Sequence, residues 1–492
     1  MVATILDAYT DEPSGLGVPP YLGTYPRYLA GALLEKNERV FYLTIDDLRF
    51  LKYPLIKKSN TTNKAIYNLT RSKEETNQIL KKSDLLVVNA GVQTPGKYLT
   101  AVPGTVNEII RLLHDVKCKK ILTGPAVYGT QLYGGKRAEK FESKFFDEIN
   151  FNFLGINEYD KISKYAISGA EIVKQIPYEI VAEIETGKGC SRKIGCSFCL
   201  EPIKNKLEYR KREDIVAEIK ALYDCRVRYF RLGKQTSFYD YQKGDVDEIE
   251  NLFKEIWNNC PEIKVLHIDN VDPIHVLRKG GEEITKLIVK YCTSGNVAAI
   301  GIESFDANVF KENNLNCPPE IAFKAIELIN KYGSFRGSNG MPQFLPGINL
   351  IYGLKGETEN THKENMKWLQ KILDSNLMLR RINIRQVTIF PGTKMAEIGN
   401  KVLKKNRKYY YKWRREIREK IDYEMLKRVV PAGAILKDVR MESYEGNVTY
   451  GRQFGAYPLI VGVKKRLELN KFYDIKIISH MLRSVVGEVL KE

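Results

Sequence analysis

The sequence predicts a multidomain α/β protein, and three observations support this fold class. The chain has 492 residues, of which 43% are hydrophobic, and this length favours two to four domains over a single core. Up to residue 400, short apolar segments alternate with helical stretches, a pattern typical of parallel sheets covered by helices. Residues 432–492 instead contain five short strands joined by tight turns, which predicts a small closed β-barrel of the oligonucleotide-binding kind.

Residues 1–165 are predicted to form a doubly wound, Rossmann-like domain. Apolar strands are predicted at residues 2–8, 39–45, 85–91 and 119–125. Gly91 and Gly124 close two of these strands, and open parallel sheets bind ligands at the carboxyl ends of their strands. We therefore expect both glycines to line a cofactor site.

Residues 166–400 are predicted to form a partial (βα)6 barrel, with a full βα barrel as the alternative. Six strands separated by helical patterns are predicted at residues 179–186, 227–233, 264–270, 297–303, 347–354 and 381–390. Barrels of this type carry their active sites at the C-terminal ends of the strands. Functional side chains are therefore expected directly after these segments.

Residues 401–431 are predicted to form one exposed basic helix that links the barrel to the C-terminal domain. Between Lys401 and Arg428 there are twelve Lys or Arg residues and four Asp or Glu residues. Pro431 and Gly433 end the helix. The helix also carries Tyr409, Tyr410, Tyr411 and Trp413, and these aromatic side chains have a second interpretation, in which they dock the helix on the barrel.

The net charge of +18 favours anionic partners, and RNA is favoured over a membrane surface. A lysine-rich surface that serves solubility alone is the alternative interpretation. No apolar run reaches the ~18 residues that a membrane span needs, and no secretory signal pattern is visible. We therefore expect a cytoplasmic protein that does not engage a membrane.

Three of the eight cysteines share one glycine-rich stretch, "GKGCSRKIGCSFC", at residues 187–199. A structural zinc site needs a fourth ligand, and the next candidates, Cys225 and His267, stand alone. Three thiolates suit an iron–sulfur cluster with one iron left open, so Cys190, Cys196 and Cys199 are predicted to be its ligands. Zinc or an accidental grouping of cysteines remains the alternative. The other five are predicted to be buried thiols: Cys118, Cys225, Cys260, Cys292 and Cys317.

With its three cysteines after the first barrel strand and Phe198 just before the last cysteine, the sequence resembles the radical SAM superfamily. Similar stretches follow in the family's order: "GIESFD" (301–306), "LIYGLKGET" (350–358) and "IRQVTIFPGTKM" (384–395). The family usually places three residues between its first two cysteines, whereas this chain has five. The resemblance implies a 4Fe–4S cluster whose open iron binds S-adenosylmethionine, and reductive cleavage to a 5′-deoxyadenosyl radical. An electron donor protein is then expected as a partner.

The resemblance also implies which residues bind S-adenosylmethionine. Glu303, directly after an apolar strand, is predicted to hold the ribose or the ammonium group. Gly233 and Gln235 take the place of the family's Gly-Gly-Glu-like turn, and Gly353 and Gly356 are predicted to let the backbone approach the adenine. Arg385 and Gln386 are two further candidates for the barrel interior. No residue is assigned a catalytic role.

The first domain resembles the cobalamin-binding domain that precedes many radical SAM barrels. The resemblance rests on the parallel βα pattern, the strand-end glycines and the segment at residues 11–34. It implies cobalamin as a cofactor, but the Asp-x-His-x-x-Gly ligand motif is missing. His114 is the one histidine before the cysteine loop, so cobalamin is expected to bind without a protein histidine. A degenerate domain that only docks the barrel is the alternative.

The last domain resembles a TRAM domain, a small RNA-binding barrel, over the stretches "EGNVTYGRQFGAYPLIVGV" and "HMLRSVVGEV". The resemblance implies that basic side chains contact phosphates and that Tyr450 and Tyr457 stack on bases. The predicted basic residues are Arg452, Lys464, Lys465, Arg466 and Arg483.

The leading functional hypothesis is an RNA-modifying radical enzyme, most simply a cobalamin-dependent methyltransferase. A methylthiotransferase is a second hypothesis, but that family holds another cluster with three N-terminal cysteines, and this chain has only Cys118 there. Radical methylation of a protein or a lipid is a third hypothesis. A non-enzymatic RNA-binding protein with a redox-sensing cluster is the fourth.

Overall fold

The computed structural model of this chain describes residues 1–10, 17–52, 68–92, 101–130, 135–141 and 143–490. The strands of the N-terminal part are β1 Val2–Asp7, β2 Tyr21–Leu22, β3 Arg39–Thr44, β4 Leu85–Asn89, β5 Lys119–Thr123 and β6 Glu148–Ile149. Its helices are α1 Thr24–Leu34, α2 Ile45–Lys52, α3 Lys73–Lys82, α4 Val106–Leu112 and α5 Tyr159–Ser168. Short 3₁₀ segments lie at Pro125–Tyr128, Phe153–Gly155 and Gly169–Gln175.

The N-terminal sheet confirms the predicted doubly wound fold. Its strands run parallel in the order β3-β1-β4-β5-β6, so the chain moves outward on one side of β1 and then on the other. Such a reversal creates a crevice between β1 and β4 at the carboxyl edge of the sheet, where sheets of this kind bind ligands. Gly91 follows β4 and Gly124 follows β5, so both predicted glycines lie at this edge. Residues 11–16 of the segment that resembles the cobalamin-binding domain lie outside the described residues.

Six parallel strands form the main part of the central domain. They are β7 Val181–Glu185, β10 Tyr229–Gly233, β11 Val265–Ile268, β13 Asn296–Glu303, β14 Phe344–Tyr352 and β15 Arg381–Gln386. Shorter strands are β8 Gly187–Lys188, β9 Glu208–Tyr209 and β12 Asn270–Val271. The helices are α6 Glu201–Lys204, α7 Arg212–Asp224, α8 Val246–Asn259, α9 Pro273–Leu277, α10 Gly281–Tyr291, α11 Ala307–Glu312, α12 Pro319–Gly333, α13 Glu359–Asp374 and α14 Lys394–Ile398. A 3₁₀ segment lies at Phe238–Gly244.

These strands form an open barrel, which agrees with the predicted partial (βα)6 fold. Two sheets, β11-β10-β7-β2 and β12-β13-β14-β15, are joined through Asp269, the residue between β11 and β12. Neighbouring strands pair in parallel, for example β10 with β7 and β13 with β14. The described barrel strands therefore have two lateral edges, one at β7 and one at β15.

Segments of the first 165 residues cover both lateral edges of the open barrel. Strand β2 pairs with β7, with Tyr21 opposite Val181. On the other side, the backbone N–H of Ala138 donates to the Ile389 carbonyl over 2.8 Å, just beyond the end of β15. The N-terminal domain therefore lies against the barrel at two places.

The basic connector is more complex than the single exposed helix that the sequence predicted. It consists of α15 Lys401–Ile417, a π-helical turn Arg418–Asp422 and α16 Tyr423–Val429. One face of α15 is buried, and the Tyr410 hydroxyl donates to the Ile384 carbonyl over 3.0 Å. Trp413 is also buried, whereas Tyr409 and Tyr411 are 41% and 59% exposed. The connector thus docks on the edge of β15, as the second interpretation of its aromatic residues expected.

A closed barrel forms the C-terminal domain, as predicted. Its strands are β16 Ile435–Glu445, β17 Val448–Arg452, β18 Ile460–Val463, β19 Phe472–His480 and β20 Ser484–Val489. They close in the order β16-β17-β18-β20-β19. Among the described residues, none of the helices anywhere in the chain is long and apolar enough to span a bilayer.

The loop between β17 and β18 inserts into the amino-terminal mouth of the open barrel. Phe454 packs with Val181, Tyr229 and Val265, the first residues of β7, β10 and β11. The Tyr457 hydroxyl, further along the loop, donates to Asp269 Oδ1 over 2.7 Å. The predicted stacking of Tyr457 on a base is therefore wrong, because its hydroxyl group is bound to Asp269 inside the barrel.

Arg452 is a second correction to the predicted RNA contacts. Its Nε donates to Glu442 Oε2 over 2.9 Å, and the side chain of Glu442 is almost fully buried. This ion pair neutralises the guanidinium that the sequence assigned to a phosphate. The basic side chains of Lys464, Lys465 and Arg466 are exposed, in agreement with the expected solvent-facing positions.

Candidate active site

The cysteine loop begins directly after β7, at the carboxyl end of the barrel. Its entry is fixed by the short antiparallel pair β8–β9, with Gly187 opposite Tyr209. Gly189 adopts a φ of +80°, and a side chain at this position would collide with the backbone of Lys206 and Leu207. A glycine is therefore required at position 189 both for its positive φ and for close backbone packing.

Three half-buried thiols, those of Cys190, Cys196 and Cys199, follow this turn. Burial raises the pKa of Cys196 to about 12 and that of Cys199 to about 11, and it also raises the pKa of Cys190. Without a metal these thiols keep their protons, and metal binding has to displace them. In the described part of the chain, no three His, Cys, Asp or Glu side chains converge as ligands of one metal ion. A cube-shaped cluster places a different iron beside each thiolate, so three cysteines on one loop suit it.

Two donors point at the sulfur atoms. Arg192 Nη1 lies 3.1 Å from Cys196 Sγ, and the backbone N–H of Glu201 lies 3.4 Å from Cys199 Sγ. Hydrogen bonds to ligand sulfur tune the reduction potential of a cluster. Sequence reasoning did not single out Arg192, although its position between two of the cysteines was an available signal.

Neighbouring elements hold the loop in place. The Ser197 hydroxyl donates to Asn313 Oδ1 over 2.9 Å, and the backbone N–H of Met395 donates to the Ser197 carbonyl over 2.7 Å. Phe198 packs against a small apolar cluster that includes Val309 and Met395. Phe198, the aromatic residue just before the last cysteine, thus helps to hold the loop in place.

Glu303 lies at the end of β13, where a bulge disturbs the pairing with β14 between Gly301 and Glu303. Its φ of +66° is unusual for a residue with a side chain, and such strain is common where a structure aims a functional group. Among the described residues, Oε2 has no hydrogen-bond partner, although it is buried. Burial raises the pKa of Glu303 to about 8, although Arg385 opposes this shift, and the carboxyl group lies within electrostatic reach of Cys196.

Gln235 is placed in a similar way at the end of β10. The residue before it, Lys234, has a φ of +68°, which turns the chain sharply after the strand. Gln235 is 4% exposed, and within the described chain neither its amide nitrogen nor its amide oxygen has a partner. Buried polar groups are normally hydrogen-bonded, so these atoms fit a ligand at the carboxyl end of the barrel. A Cβ at Gly233 would lie 3.0 Å from Asp269, so this position favours a glycine.

The sequence of this region matches a known family model. Residues 184–369, from the end of β7 into α13, match the model described as the radical SAM superfamily. The chain is a radical SAM superfamily enzyme. Enzymes of this superfamily use a 4Fe–4S cluster and S-adenosylmethionine, and the three thiols together with the unpartnered atoms of Glu303 and Gln235 fit these groups.

Two archaeal proteins resemble this radical SAM enzyme over nearly their whole lengths. Protein MJ0274 of Methanocaldococcus jannaschii is 42% identical, and the match covers 100% of this chain and 93% of that protein. A protein of Archaeoglobus fulgidus is 41% identical, over 99% of this chain and 90% of that protein. The enzyme belongs to one family with these two proteins.

Solved structures resemble the radical SAM enzyme at low sequence identity. The radical S-adenosylmethionine methyltransferase TsrM from Kitasatospora setae, with cobalamin and a 4Fe–4S cluster bound, has a TM-score of 0.49 and 12% identity, covering 80% of this chain and 76% of that chain. The cobalamin-dependent enzyme OxsB, with aqua-cobalamin and S-adenosylmethionine bound, has a TM-score of 0.46 and 13% identity, covering 86% of this chain and 57% of that chain.

Gly353 and Gly356 of the radical SAM enzyme occupy the turn after β14, with φ values of +95° and +82°. The Gly353 N–H donates to Glu357 Oε2 over 2.6 Å, and a side chain at Gly353 would collide with Leu403 on α15. Gly353 therefore allows the connector to approach the barrel closely, a role that sequence reasoning missed. The approach of these glycines to adenine stays a prediction.

The barrel interior of the radical SAM enzyme is strongly polar. Arg231 Nε donates to Glu183 Oε2 over 2.8 Å, and Arg231 Nη2 lies 3.6 Å from Asp269 Oδ2. These three side chains are almost fully buried, and each keeps at least one polar atom without a hydrogen-bond partner among the described residues. Tyr457 lies below them, with Arg231 5.5 Å from its ring centroid. The interior therefore fits a polar substrate group above a floor that the C-terminal domain completes.

The remaining cysteines of the radical SAM enzyme divide into two groups. Cys260, Cys292 and Cys317 are buried, as predicted. Cys118 and Cys225 are only half-buried, because the first stands just before β5 and the second ends α7. The prediction of buried thiols was wrong for these two.

We expect Glu303→Gln to weaken S-adenosylmethionine binding by about 10-fold to 100-fold. The reason is that a hydrogen bond to a charged group contributes about 1.5–3 kcal/mol. A cationic group of the cosubstrate favours the ionised form of the Glu303 carboxyl group, whose pKa burial raises to about 8, whereas an amide cannot ionise. Equilibrium dialysis of the cluster-loaded protein measures the Kd. Glu312→Gln is the matched control, because Glu312 lies on α11 and pairs with Lys355 at the surface. An unchanged Kd for the Glu303 variant would remove this residue from the binding site.

Proposed function

We propose that this radical SAM enzyme is a cobalamin-dependent methyltransferase that modifies RNA. The single observation that carries the proposal is the juxtaposition of two ligand-binding edges. Asn157, which follows the carboxyl end of β6, donates its amide N–H to Asn205 Oδ1 over 2.9 Å, and Asn205 ends the helix after the cysteine loop. The carboxyl edge of the N-terminal sheet thus faces the cluster loop, and a corrinoid at that edge would lie beside the cluster.

The crevice of the N-terminal sheet has features that fit a cofactor. Asn89 ends β4 beside Asp7 of β1, and within the described chain its buried Oδ1 has no hydrogen-bond partner. Gly91 and Gly124 follow at the same edge, and Gly124 has a φ of +85°. Cobalamin bound there would supply the methyl carrier that the reaction needs.

Cobalamin is proposed to bind this enzyme without a protein imidazole ligand. His114 follows α4, on the connection that returns to the amino end of β5, and its exposed ring bonds to Asp115. The ligand-binding edge is formed by the opposite ends of the strands. The single histidine before the cysteine loop is therefore on the wrong side of the sheet.

The chain's own residues have separable roles in this proposal. Cys190, Cys196 and Cys199 hold the cluster, which with S-adenosylmethionine supplies the radical chemistry of the family. Glu303 and Gln235 orient the cosubstrate through their buried polar atoms. The loop that carries Tyr457 closes the amino-terminal mouth and excludes water from the interior.

RNA as the substrate is supported by charge and by architecture. The net charge is +18, the connector is rich in Lys and Arg, and the C-terminal domain is a closed five-stranded barrel. Barrels of this size commonly bind oligonucleotides. An electron donor protein as a further partner remains a prediction.

Anaerobic reconstitution with iron, sulfide and cobalamin tests the proposal. We expect the protein to retain a corrinoid through gel filtration, and its optical spectrum to be unchanged by His114→Ala. Incubation with S-adenosylmethionine, a reductant and archaeal RNA should then yield methylated nucleosides, measured by mass spectrometry after digestion. Loss of corrinoid during filtration would contradict cobalamin as the cofactor. Unmodified RNA, from an enzyme that retains corrinoid and cleaves S-adenosylmethionine, would contradict RNA as the substrate.

A further inference from the structure

Six arginines from three parts of the fold meet where β15, the connector and the C-terminal barrel adjoin. We name this group the arginine seam, and its members are Arg380, Arg381, Arg385, Arg414, Arg418 and Arg483. The first three belong to β15 and the residue before it, the next two to the connector, and the last to the turn between β19 and β20. At most three of these arginines lie close together in the sequence, so it is the fold that brings all six together.

Contacts within the seam fix its core. Arg380 Nη2 donates to the Tyr457 carbonyl over 2.6 Å, and Arg381 Cζ lies 4.0 Å from the centroid of the Tyr457 ring. On the other side of the strand, Arg418 Nη1 donates to the Ile382 carbonyl over 2.7 Å. The seam therefore joins the loop between β17 and β18, the edge of β15 and the π-helical turn.

Positive charge in the seam exceeds the nearby negative charge. Arg418 forms an ion pair with Asp422, but the described residues offer no carboxylate within ion-pair distance of Arg380, Arg381 or Arg483. Partial burial lowers the pKa of Arg380 and Arg381 to about 10, and neighbouring arginines act in the same direction. Both side chains therefore remain charged near neutral pH. Their mutual repulsion is relieved when an anion binds, which favours anion binding.

The seam is extended, which distinguishes it from a site for one small anion. Arg381 and Arg385 lie on the same face of β15, about 13 Å apart along a strand, and Arg385 lies within electrostatic reach of Glu303. At the other end, Arg483 is exposed and lies within electrostatic reach of Arg414 and Arg418. The guanidinium groups are thus spread from the surface of the C-terminal barrel, along the connector, to β15.

Exposed rings accompany the charges. Arg414 Cζ lies 5.3 Å from the centroid of the Tyr411 ring, and Tyr411 and Tyr409 present much of their surface to solvent. Met481 and Leu482, beside Arg483, are also largely exposed. Proteins that bind single-stranded nucleic acid combine a basic groove with flat or apolar side chains on which bases stack.

We propose that the arginine seam binds the phosphodiester backbone of a single-stranded RNA segment where β15, the connector and the C-terminal barrel adjoin. This inference rests on the proposed RNA substrate, and it assigns RNA to a surface other than the basic face of the C-terminal barrel around Lys464. Arg381 and Arg385 contact the backbone nearest the active site. Arg414 and Arg483 contact it at the surface, where Tyr411 stacks on a base.

The test compares two sets of neutralising substitutions in the full-length, cluster-loaded protein. The seam variant carries Arg381→Gln, Arg414→Gln and Arg483→Gln. The matched control removes three charges from the barrel face, with Lys464→Gln, Lys465→Gln and Arg466→Gln. Fluorescence anisotropy with a labelled single-stranded RNA gives the Kd across a range of salt concentrations. A second variant with only Arg414→Gln and Arg483→Gln leaves the barrel interior untouched and guards against misfolding.

We expect the seam variant to bind RNA at least tenfold more weakly, and its salt dependence to fall by about two in the slope of log K against log salt. The double variant should show a smaller loss in the same direction, and the control should change less than twofold. If the control variant loses RNA binding and the seam variant binds as tightly as the wild type, the seam is not the RNA-binding surface. RNA would remain the proposed substrate in that case. A wild-type protein that binds no RNA and methylates none would overturn both.

Discussion

Cys196→Ala is expected to reduce formation of 5′-deoxyadenosine to the background level. With two thiolates left, a second iron of the cluster loses its protein ligand, and an intact 4Fe–4S cluster is not retained. Cys196 also accepts the hydrogen bond from Arg192, so its loss removes a tuning contact as well. The measurement is mass spectrometry of 5′-deoxyadenosine after anaerobic reconstitution and chemical reduction in the presence of S-adenosylmethionine.

The matched control is Cys225→Ala. Cys225 ends α7 on the outside of the barrel and is half-buried, as Cys196 is, but it does not belong to the cysteine loop. Iron content and turnover should stay at the wild-type level in this variant. RNA affinity of the Cys196 variant should also be unchanged, because Cys196 belongs neither to the arginine seam nor to the C-terminal barrel. Retained turnover in the Cys196 variant would contradict the assignment of the cluster.

Glu218→Gln is expected to destabilise the protein by about 3–5 kcal/mol, the range for removing one partner of a buried ion pair. Glu218 on α7 is 0% exposed and accepts hydrogen bonds from Arg27 and Arg210. Arg27 belongs to α1 of the N-terminal domain and also donates to the Glu183 carbonyl. The substitution therefore leaves two buried guanidinium groups uncompensated and weakens the junction between the first two domains.

The same residue makes stability depend on pH. Burial alone raises the pKa of Glu218, but Arg210 and Arg27 outweigh this effect and hold the pKa below its ordinary value. A carboxyl group with a lowered pKa stabilises the folded state above the unfolded pKa of about 4.3, and this contribution is lost as the pH falls through the folded value. The wild-type protein should therefore lose more stability than the variant on acidification below about pH 4.

Urea unfolding of the two proteins at neutral pH measures the difference. Glu213→Gln is the control on the same helix, because Glu213 is 66% exposed and pairs with Arg212 at the surface. Its effect should stay within about 0.5 kcal/mol. Equal unfolding midpoints for the Glu218 variant and the wild type would show that the buried network does not couple the domains.

Periodic and local signals in the sequence predicted most of the architecture. The segments around Val2, Leu85 and Lys119 read as continuous apolar strands because both faces of a parallel sheet are buried, and β1, β4 and β5 follow them closely. The five short strands after residue 432 were predicted for a similar reason, since tight turns interrupt them at short intervals. The cysteine loop was found because its three thiols lie close together in the sequence.

Contacts between distant segments had no such signal. Tyr21–Leu22 is too short to be read as a strand, and it exists because β7 offers an unpaired edge. Tyr457 was predicted to meet RNA, but a tyrosine in a loop looks the same whether it faces solvent or a neighbouring domain. Tyr410 and Trp413 of the connector are buried because the connector docks on the edge of β15, where the Tyr410 hydroxyl donates to a strand carbonyl.

The candidate site was predicted in part. Glu303 and Gln235 were identified from their positions after strands, but the turns that aim them rely on positive φ values at Glu303 and Lys234, and neither residue is a glycine. Such strain comes from tertiary packing and cannot be seen in a sequence. The hydrogen-bond donors to the cysteine sulfurs could not be predicted either, because they depend on how side chains are directed in the folded protein. The same holds for the polar floor beneath the site.

The central claim is that three cysteines hold one iron–sulfur cluster with an iron left open for S-adenosylmethionine. The most direct measurement combines iron and sulfide analysis of anaerobically reconstituted protein with electron paramagnetic resonance of the reduced state, before and after the cosubstrate is added. We predict about four irons per chain and a spectrum that changes when S-adenosylmethionine binds. About eight irons per chain would instead support a methylthiotransferase with a second cluster, and bound zinc or a spectrum indifferent to S-adenosylmethionine would contradict the open iron.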